Sequence, residues 1–211
     1  VFGYAFRLTL LLAIPSSVAL AVLAEPIVAV AFGRGEFGRA EVLETAASLR
    51  WQAAGVWAIA SVRTVVPMFF AYQDTRSPVI ASATNLVFFA AVSLLLMGPF
   101  EHVGIAMGLS AAGGAQLFML LALLRRRVGR LGLRAVVIGG ARISAAAGVM
   151  GAALWGVARL GAWERGATGT NVAVLLGAIA AGAAVFLGAA ALLRSPELRE
   201  LMGAVRRRVK R

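Results

Sequence analysis

Cysteine is absent from this chain, histidine occurs once, and acidic residues are scarce, with nine Asp and Glu against 21 Lys and Arg. The lack of cysteine excludes disulfide bonds and Cys-based metal sites, and His102 has no second histidine with which to form a zinc site. No grouping of side chains has the arrangement of a catalytic site. We therefore expect neither a metal nor a cofactor, and we expect that the chain is not an enzyme.

Charged residues of either sign are also few, at 14% of the chain, whereas hydrophobic residues make up 61% and the mean hydropathy is +0.87. A helix needs about 20 mostly apolar residues to cross a hydrocarbon core of ~30 Å. Six stretches meet this requirement: 5–32, 46–72, 78–97, 103–124, 135–160 and 171–193. The sequence predicts an all-α polytopic membrane protein with about six transmembrane helices, the first of them kinked at Pro15 and Pro26.

The basic residues lie mostly between the apolar stretches. With six crossings, thirteen Lys and Arg fall on the side of the chain's ends and three, Arg34, Arg39 and Arg165, on the other side. Positively charged loops remain in the cytoplasm, so both ends are predicted to be cytoplasmic. The basic charge therefore does not require a nucleic-acid partner. The tail, 194–211, combines apolar residues at helical spacing with many arginines, which is typical of an amphipathic helix at the membrane surface.

A few polar side chains fall inside the apolar stretches, where a charge costs at least ~2.5 kcal/mol unless it meets a partner or water. Arg63, near the middle of the second stretch, is the first candidate for a substrate pathway, because a guanidinium binds phosphate groups bidentately. Pairing of Arg63 with Glu25 for assembly is the alternative. Glu25, Asn85 and Gln116 are further candidates for the substrate pathway, and hydrogen bonding between helices explains the two amides equally well.

Two motifs carry a resemblance to a known family. They are Gly33-Arg34-Gly35-Glu36-Phe37 after the first stretch and Gln73-Asp74-Thr75-Arg76-Ser77-Pro78 between the second and third. In order and spacing they resemble the MurJ/MviN family, the lipid II flippases of bacterial peptidoglycan synthesis, across most of residues 5–125. The family-motif residues are Gly33, Arg34, Gly35, Phe37, Gln73, Asp74, Thr75 and Pro78.

The resemblance implies a fourteen-helix, two-lobed fold of the multidrug/oligosaccharidyl-lipid/polysaccharide exporter superfamily, of which this chain would be the last six helices. Residues 1–127 would be the last four helices of the second lobe, 128–193 two additional helices, and 194–211 the basic cytoplasmic tail. It further implies flipping of lipid II to the periplasmic leaflet by alternating access, in the bacterial inner membrane, with roles in cell wall biogenesis and cell shape. The extra helix pair would form a groove for the undecaprenyl tail.

Two other functions remain open from the sequence. One is export of another lipid-linked oligosaccharide or of a drug by a member of the same superfamily. The other is a non-transporting membrane scaffold whose basic tail recruits anionic lipid or a partner protein that the sequence does not identify. Sodium coupling is not expected, because the positions that hold Asn, Asp or Thr in many family members hold Phe89, Ser93 and Leu109 here.

Overall fold

The computed structural model describes residues 2–35, 37–129 and 133–193. Their regular structure is helical, which confirms the predicted all-α class. The helices are α1 (Phe2–Val22), α2 (Ala24–Phe32), α3 (Arg39–Ala71), α4 (Arg76–Val128), α5 (Leu133–Ala158) and α6 (Gly169–Leu192), with a short 3₁₀ helix at Trp163–Arg165. Among the described residues, five helices are long and apolar enough to cross a membrane. The tail predicted to lie on the membrane surface, 194–211, falls outside the described residues.

Helix α4 contains the third and fourth predicted stretches. Its 53 residues would extend ~80 Å if straight, more than twice the thickness of the hydrocarbon core. The helical path breaks at Glu101, where φ is 49°, and Asn85 of the first arm hydrogen-bonds to Gln116 of the second. The helix is therefore a hairpin of two antiparallel arms, 76–100 and 102–128, and the described residues contain six helical segments of crossing length.

The first predicted stretch is divided between α1 and α2. Pro26 lacks an N–H, and its ring clashes with the carbonyl four residues earlier in a continuous helix. That carbonyl belongs to Val22, the last residue of α1, and Leu23 separates the two helices. Pro15, by contrast, is accommodated inside α1. The predicted kink is thus confirmed at Pro26, where it becomes a break.

The helices pack in a row in which α3 lies between α4 and α1, and α5 lies between α1 and α6. Small residues permit the close approaches. A Cβ on Gly55 of α3 would lie 2.7 Å from Ser110 Cα, and one on Gly182 of α6 would lie 2.7 Å from Leu154 Cδ2 of α5. In lipid, where both sides of a helix are apolar, such close packing supplies much of the association energy. Other glycines of α5 and α6 make no such contact with the described residues: a Cβ on Gly148 or Gly177 would meet open space.

Candidate functional site

Arg63 lies on a face of α3 that neither α1 nor α4 covers. Its side chain is exposed, and it forms no ion pair with any described residue. Gln52, Pro67 and Phe70 are exposed on the same face, as helical spacing requires. Arg63 is eight residues from the end of α3 at Ala71, or ~12 Å along the axis, and so lies in the half of the helix nearer the 72–75 loop.

The neighbouring face of α3 is fastened to α1 by two hydroxyl contacts. Thr64 and Thr9 share a hydrogen bond of 2.7 Å between their Oγ1 atoms, and the backbone N–H of Trp57 donates to Ser17 Oγ at 3.1 Å. These bonds cross an otherwise apolar interface, where directional contacts orient one helix on another. They fix the rotation of α3, and with it the direction in which Arg63 points.

Glu25 does not pair with Arg63. Its carboxylate, in the first turn of α2, accepts from Arg39 at 2.6 Å and approaches Arg50 at 3.7 Å. Both arginines belong to α3, so this carboxylate ties α2 to the first three turns of α3. Arg50 lies eleven residues after Arg39 in α3 and approaches the second oxygen of the same carboxylate. Within the described residues, the negative charge of Glu25 is therefore compensated, whereas the positive charge of Arg63 is not.

Asn85 and Gln116 are brought together inside the α4 hairpin. Asn85 Nδ2 donates to Gln116 Oε1 at 2.6 Å, and Gln116 Nε2 donates to Ser82 Oγ at 3.3 Å. Both amides are partly exposed. This geometry matches one of the two roles considered for these residues, hydrogen bonding between helices. Their other role, in the substrate pathway, stays a prediction.

We expect this amide pair to stabilise the hairpin modestly. Interhelical hydrogen bonds in membranes contribute on average ~0.6 kcal/mol and up to about 2 kcal/mol. Asn85→Leu and Gln116→Leu should each lower the free energy of unfolding by about 1 kcal/mol, and the double variant should cost clearly less than the sum. Thermal unfolding of the four proteins in one detergent gives this coupling energy, and strictly additive losses would show that the two amides act separately.

The second motif builds the connection between α3 and α4. Gln73 adopts φ 54°, its N–H donates to Phe70 O at 2.9 Å, and Asp74 N–H donates to Phe69 O at 2.8 Å. These two bonds form the Schellman arrangement that ends a helix. Asp74, two residues before α4, then caps the start of that helix: its carboxylate accepts from Ser77 N at 3.0 Å and from Ser77 Oγ at 2.6 Å.

Asp74 also links the two ends of the α4 hairpin. Arg127 Nη2, in the last turn of α4, lies 3.0 Å from Asp74 Oδ2, and the aspartate side chain is only 3% exposed. The pKa of the Asp74 carboxyl is lowered below its ordinary value of 3.8, chiefly by the hydrogen bonds from the side chain and backbone of Ser77 and to a smaller extent by Arg127. The carboxylate is therefore charged at neutral pH and holds the loop together.

A lowered pKa means that the folded protein favours the ionised form, so this stabilisation is complete well above pH 3.8 and is lost as the pH falls through the folded-state pKa. We expect Asp74→Asn to unfold at a lower temperature than the original protein at pH 7. The difference should shrink below about pH 3.8. Melting temperatures measured from pH 7 to pH 3 test this, and a difference independent of pH would exclude the charge as its source.

The first motif packs against the loop between α5 and α6. Gly166 adopts φ 62°, and a Cβ there would collide with the carbonyl oxygen of Gly33. Asn171, which is buried, holds this second loop: its Nδ2 donates to Ala162 O and Gly166 O, each at 2.8 Å, and its Oδ1 accepts from Ala162 N at 3.2 Å. Sequence reasoning used Asn171 only as a segment boundary. Asn171 lies three residues after Thr168, whose Oγ1 accepts from Asn171 N. This spacing, typical of a helix start, is the sequence feature that could have indicated a structural role for Asn171.

Two apolar clefts open between helices. The larger, about 460 Å³, lies between α1, α3, α4 and α5 and is lined by Leu10, Trp57, Leu117 and Val137 among others. The smaller, about 300 Å³, lies between α1, α5 and α6, beside Pro15, Leu154 and Phe186. Neither cleft is formed by α5 and α6 alone, because α1 contributes to both.

The fold and these sites define a polytopic helical membrane protein with polar groups set inside its spans. The family model described as lipid II flippase MurJ matches residues 3–177, and the chain belongs to that family. A relative from Vibrio cholerae named probable lipid II flippase MurJ is 30% identical over 210 residues, which cover 95% of this chain and 38% of the relative. Relatives of the same name from Haemophilus influenzae and Rickettsia prowazekii are 30% and 31% identical over 71% and 55% of this chain, and it covers 29% and 23% of them.

The matches extend the resemblance beyond the motifs that first indicated it. The family model continues through α5 into α6, where the sequence matched the family only in position and character. The chain nevertheless spans well under half the length of these relatives. The matches therefore show the family of this chain, and the substrate and activity of the complete protein are proposals.

Proposed function

We propose that this chain is the C-terminal part of a transporter that flips lipid II from the cytoplasmic to the periplasmic leaflet by alternating access. The relatives it resembles are named as probable lipid II flippases. Transfer of a pyrophosphate-linked head group through hydrocarbon is prohibitive unless the charge meets water or a counter-charge. A flippase therefore needs a cationic, hydrated path for the head group and an apolar path for the lipid tail, and it needs no catalytic residue.

The observation that carries the proposal is Arg63. An exposed arginine in a membrane-spanning helix is costly against lipid, so in the complete protein its face must meet water or other protein. Glu25, the carboxylate that was the alternative partner for Arg63, is already compensated by Arg39 and Arg50. Arg63 is thus available to an anionic group in a cavity between this helical row and the part of the protein that the relatives have in addition.

The apolar clefts supply the second requirement. Each borders α5, and the smaller also borders α6, the two helices assigned to the additional pair, 128–193. A polyprenyl tail stays in apolar surroundings when it moves from lipid to such a surface, so its binding there depends on close packing and not on transfer out of water. In this proposal α1, from the segment 1–127, forms one wall of the tail path together with the additional helices.

We propose a bacterial inner-membrane location in which the α3–α4 connection and both ends of the chain face the cytoplasm. Support comes from the exposed arginines of the last turn of α4, Arg125, Arg126 and Arg127, and from the positive-inside rule. Ala40→Cys should therefore react with a membrane-impermeant maleimide added to whole cells, and Val128→Cys only after the membrane is opened. The lack of cysteine in this chain removes its own background. Labelling in the reverse order would overturn the orientation.

The function is tested by complementation. The complete protein should sustain growth and rod shape in a bacterium depleted of its own lipid II flippase. A protein that acts only as a scaffold, or one that exports a different oligosaccharide lipid, should accumulate in the membrane at the same level and leave the depleted cells to lyse. Lysis at normal membrane levels would therefore contradict the proposed substrate.

A further inference from the structure

A polar pocket of about 220 Å³ lies between the loop 33–38 and the loop 161–166, at the end of the molecule opposite the 72–75 connection. We refer to it as the outer pocket. Its lining includes the charged residues Arg34, Arg39, Glu164 and Arg165, the glycines Gly33, Gly35, Gly38 and Gly166, and the apolar residues Phe37, Val42 and Trp163. The apolar clefts lie between helices, whereas this pocket lies between loops and is mostly polar.

The charge of the outer pocket is unusual for its place. Arginine is disfavoured in loops on the non-cytoplasmic side of a membrane protein, and the proposed orientation places Arg34, Arg39, Arg159 and Arg165 at that end of the described helices. Three of these four, Arg34, Arg39 and Arg165, line this one pocket. Two loops separated by more than 120 residues thus contribute arginines to the same pocket.

The arginines are not equally available. Arg39 is held by Glu25 at 2.6 Å, while Arg34 and Arg165 are exposed and form no ion pair with a described residue. Glu164 opposes them from the pocket wall, and Glu41 Oε2 approaches the α3 start, 3.1 Å from where a Cβ on Gly38 would lie. Among the described residues, two arginines without an ion-pair partner and one carboxylate thus line the pocket, and the first turn of α3 adds backbone N–H groups that favour an anion.

We propose that the outer pocket binds a pyrophosphate-type anion and receives the charged group of the substrate as it arrives at the outer leaflet. Guanidinium groups match phosphate oxygens bidentately. The volume is below the ~300–1,000 Å³ of pockets for drug-sized molecules, which suits a diphosphate and leaves the sugar and peptide outside. The identification of the anion with the lipid substrate rests on the proposed function, whereas anion binding itself does not.

The pocket spans two parts of the fold. The loop 33–38 connects α2 to α3, and the loop 161–166 connects α5 to α6, with the Gly33–Gly166 contact at their junction. An anion held by Arg34 and Arg165 therefore bridges the four-helix segment and the additional helix pair. Binding should strengthen this junction in addition to holding the ligand.

The test uses the complete protein in nanodiscs of zwitterionic lipid, on a cysteine-free background, with an environment-sensitive fluorophore at Ala167→Cys. Ala167 is exposed and adjacent to Gly166, so the signal reports on this pocket. One arm adds inorganic pyrophosphate, and the other incorporates undecaprenyl pyrophosphate into the disc. Responses to both probes, or to the lipid-linked probe alone, support the proposal. A response to inorganic pyrophosphate alone, or to neither, overturns the substrate assignment.

Three charge variants sharpen the result. Arg34→Gln with Arg165→Gln should weaken binding at least about tenfold, as expected for charge-assisted hydrogen bonds. Glu164→Gln should tighten it, because the opposing carboxylate is lost. Arg159→Gln is the matched control: it removes one positive charge from the same end of the molecule, but Arg159 stacks on Trp155, 3.4 Å from the ring centroid, outside the pocket. Equal affinity for the double variant and the original protein overturns the proposal.

Complementation by the same variants separates the two proposals. If the complete protein complements but shows no response to either pyrophosphate probe, the flippase function is supported and the outer pocket is excluded as an anion site. If the complete protein binds pyrophosphate through Arg34 and Arg165 but does not complement, the anion site is supported and lipid II is excluded as its ligand.

Discussion

Replacing Arg63 by alanine in the complete protein is expected to abolish growth of a flippase-depleted bacterium while the protein still accumulates in the membrane. Arg63 is exposed on an uncovered face of α3 and has no described carboxylate partner. Its removal therefore breaks no ion pair in this part of the protein. The loss should appear in transport, because a phosphate group in the cavity loses a charge-assisted contact worth about 1.5–3 kcal/mol.

Arg63→Lys and Arg142→Ala serve as comparisons. Lysine keeps the charge but loses the bidentate geometry of the guanidinium, so partial complementation is expected. Arg142 is an exposed arginine of α5, nine residues from the start of that helix at Leu133, and it lines neither apolar cleft. Its removal therefore changes the net charge equally, at a similar depth but on a different helix. Normal growth with Arg63→Ala would remove this residue from the substrate path, and equal loss with Arg142→Ala would attribute the defect to charge alone.

Replacing Gly104 by alanine is expected to destabilise the α4 hairpin severely. A Cβ at this position would lie 2.5 Å from the carbonyl carbon of Leu96 and 2.8 Å from the backbone nitrogen of Met97. Backbone atoms cannot rotate away as a flexible side chain can, so the two arms must separate near the turn at Glu101. Overpacking of this kind costs about 3 kcal/mol, which should lower the melting temperature and the yield of folded protein.

Gly114 provides the matched control on the same arm. Nothing lies within 4 Å of a Cβ built at Gly114, so Gly114→Ala should leave stability unchanged or raise it by roughly 0.5–1 kcal/mol through helix propensity. Melting temperatures of both variants in the same detergent make the comparison. Similar losses for the two substitutions would show that helix flexibility, and not the close approach of the arms, explains the effect.

Hydropathy predicted the crossings well because the membrane imposes the same length requirement on each helix. It did not predict where the helices end. Helix α3 starts at Arg39 because residues such as Glu41 and Glu44 continue the helix into the aqueous region, where polarity carries no penalty. The added residues include Arg39, which forms the closer ion pair with Glu25.

The partners of the polar residues were harder to predict than their positions. Glu25 and Arg63 were possible partners by composition, but the break at Leu23 directs α2 toward the start of α3, so Glu25 meets Arg39. Asn171 was missed because an asparagine at a helix start is usually only a cap, whereas here it also binds Ala162 and Gly166. Such contacts depend on tertiary packing that a single sequence does not contain.

The central claim is that this chain forms part of a pathway for lipid II in which Arg63 meets the head group. Its most direct test is the outer-leaflet accessibility of lipid II, measured by cleavage with an externally added enzyme, in cells that depend only on the complete protein. The account predicts that accessibility with Arg63→Ala falls to that of depleted cells and stays normal with Arg142→Ala. Unchanged accessibility with Arg63→Ala would contradict it.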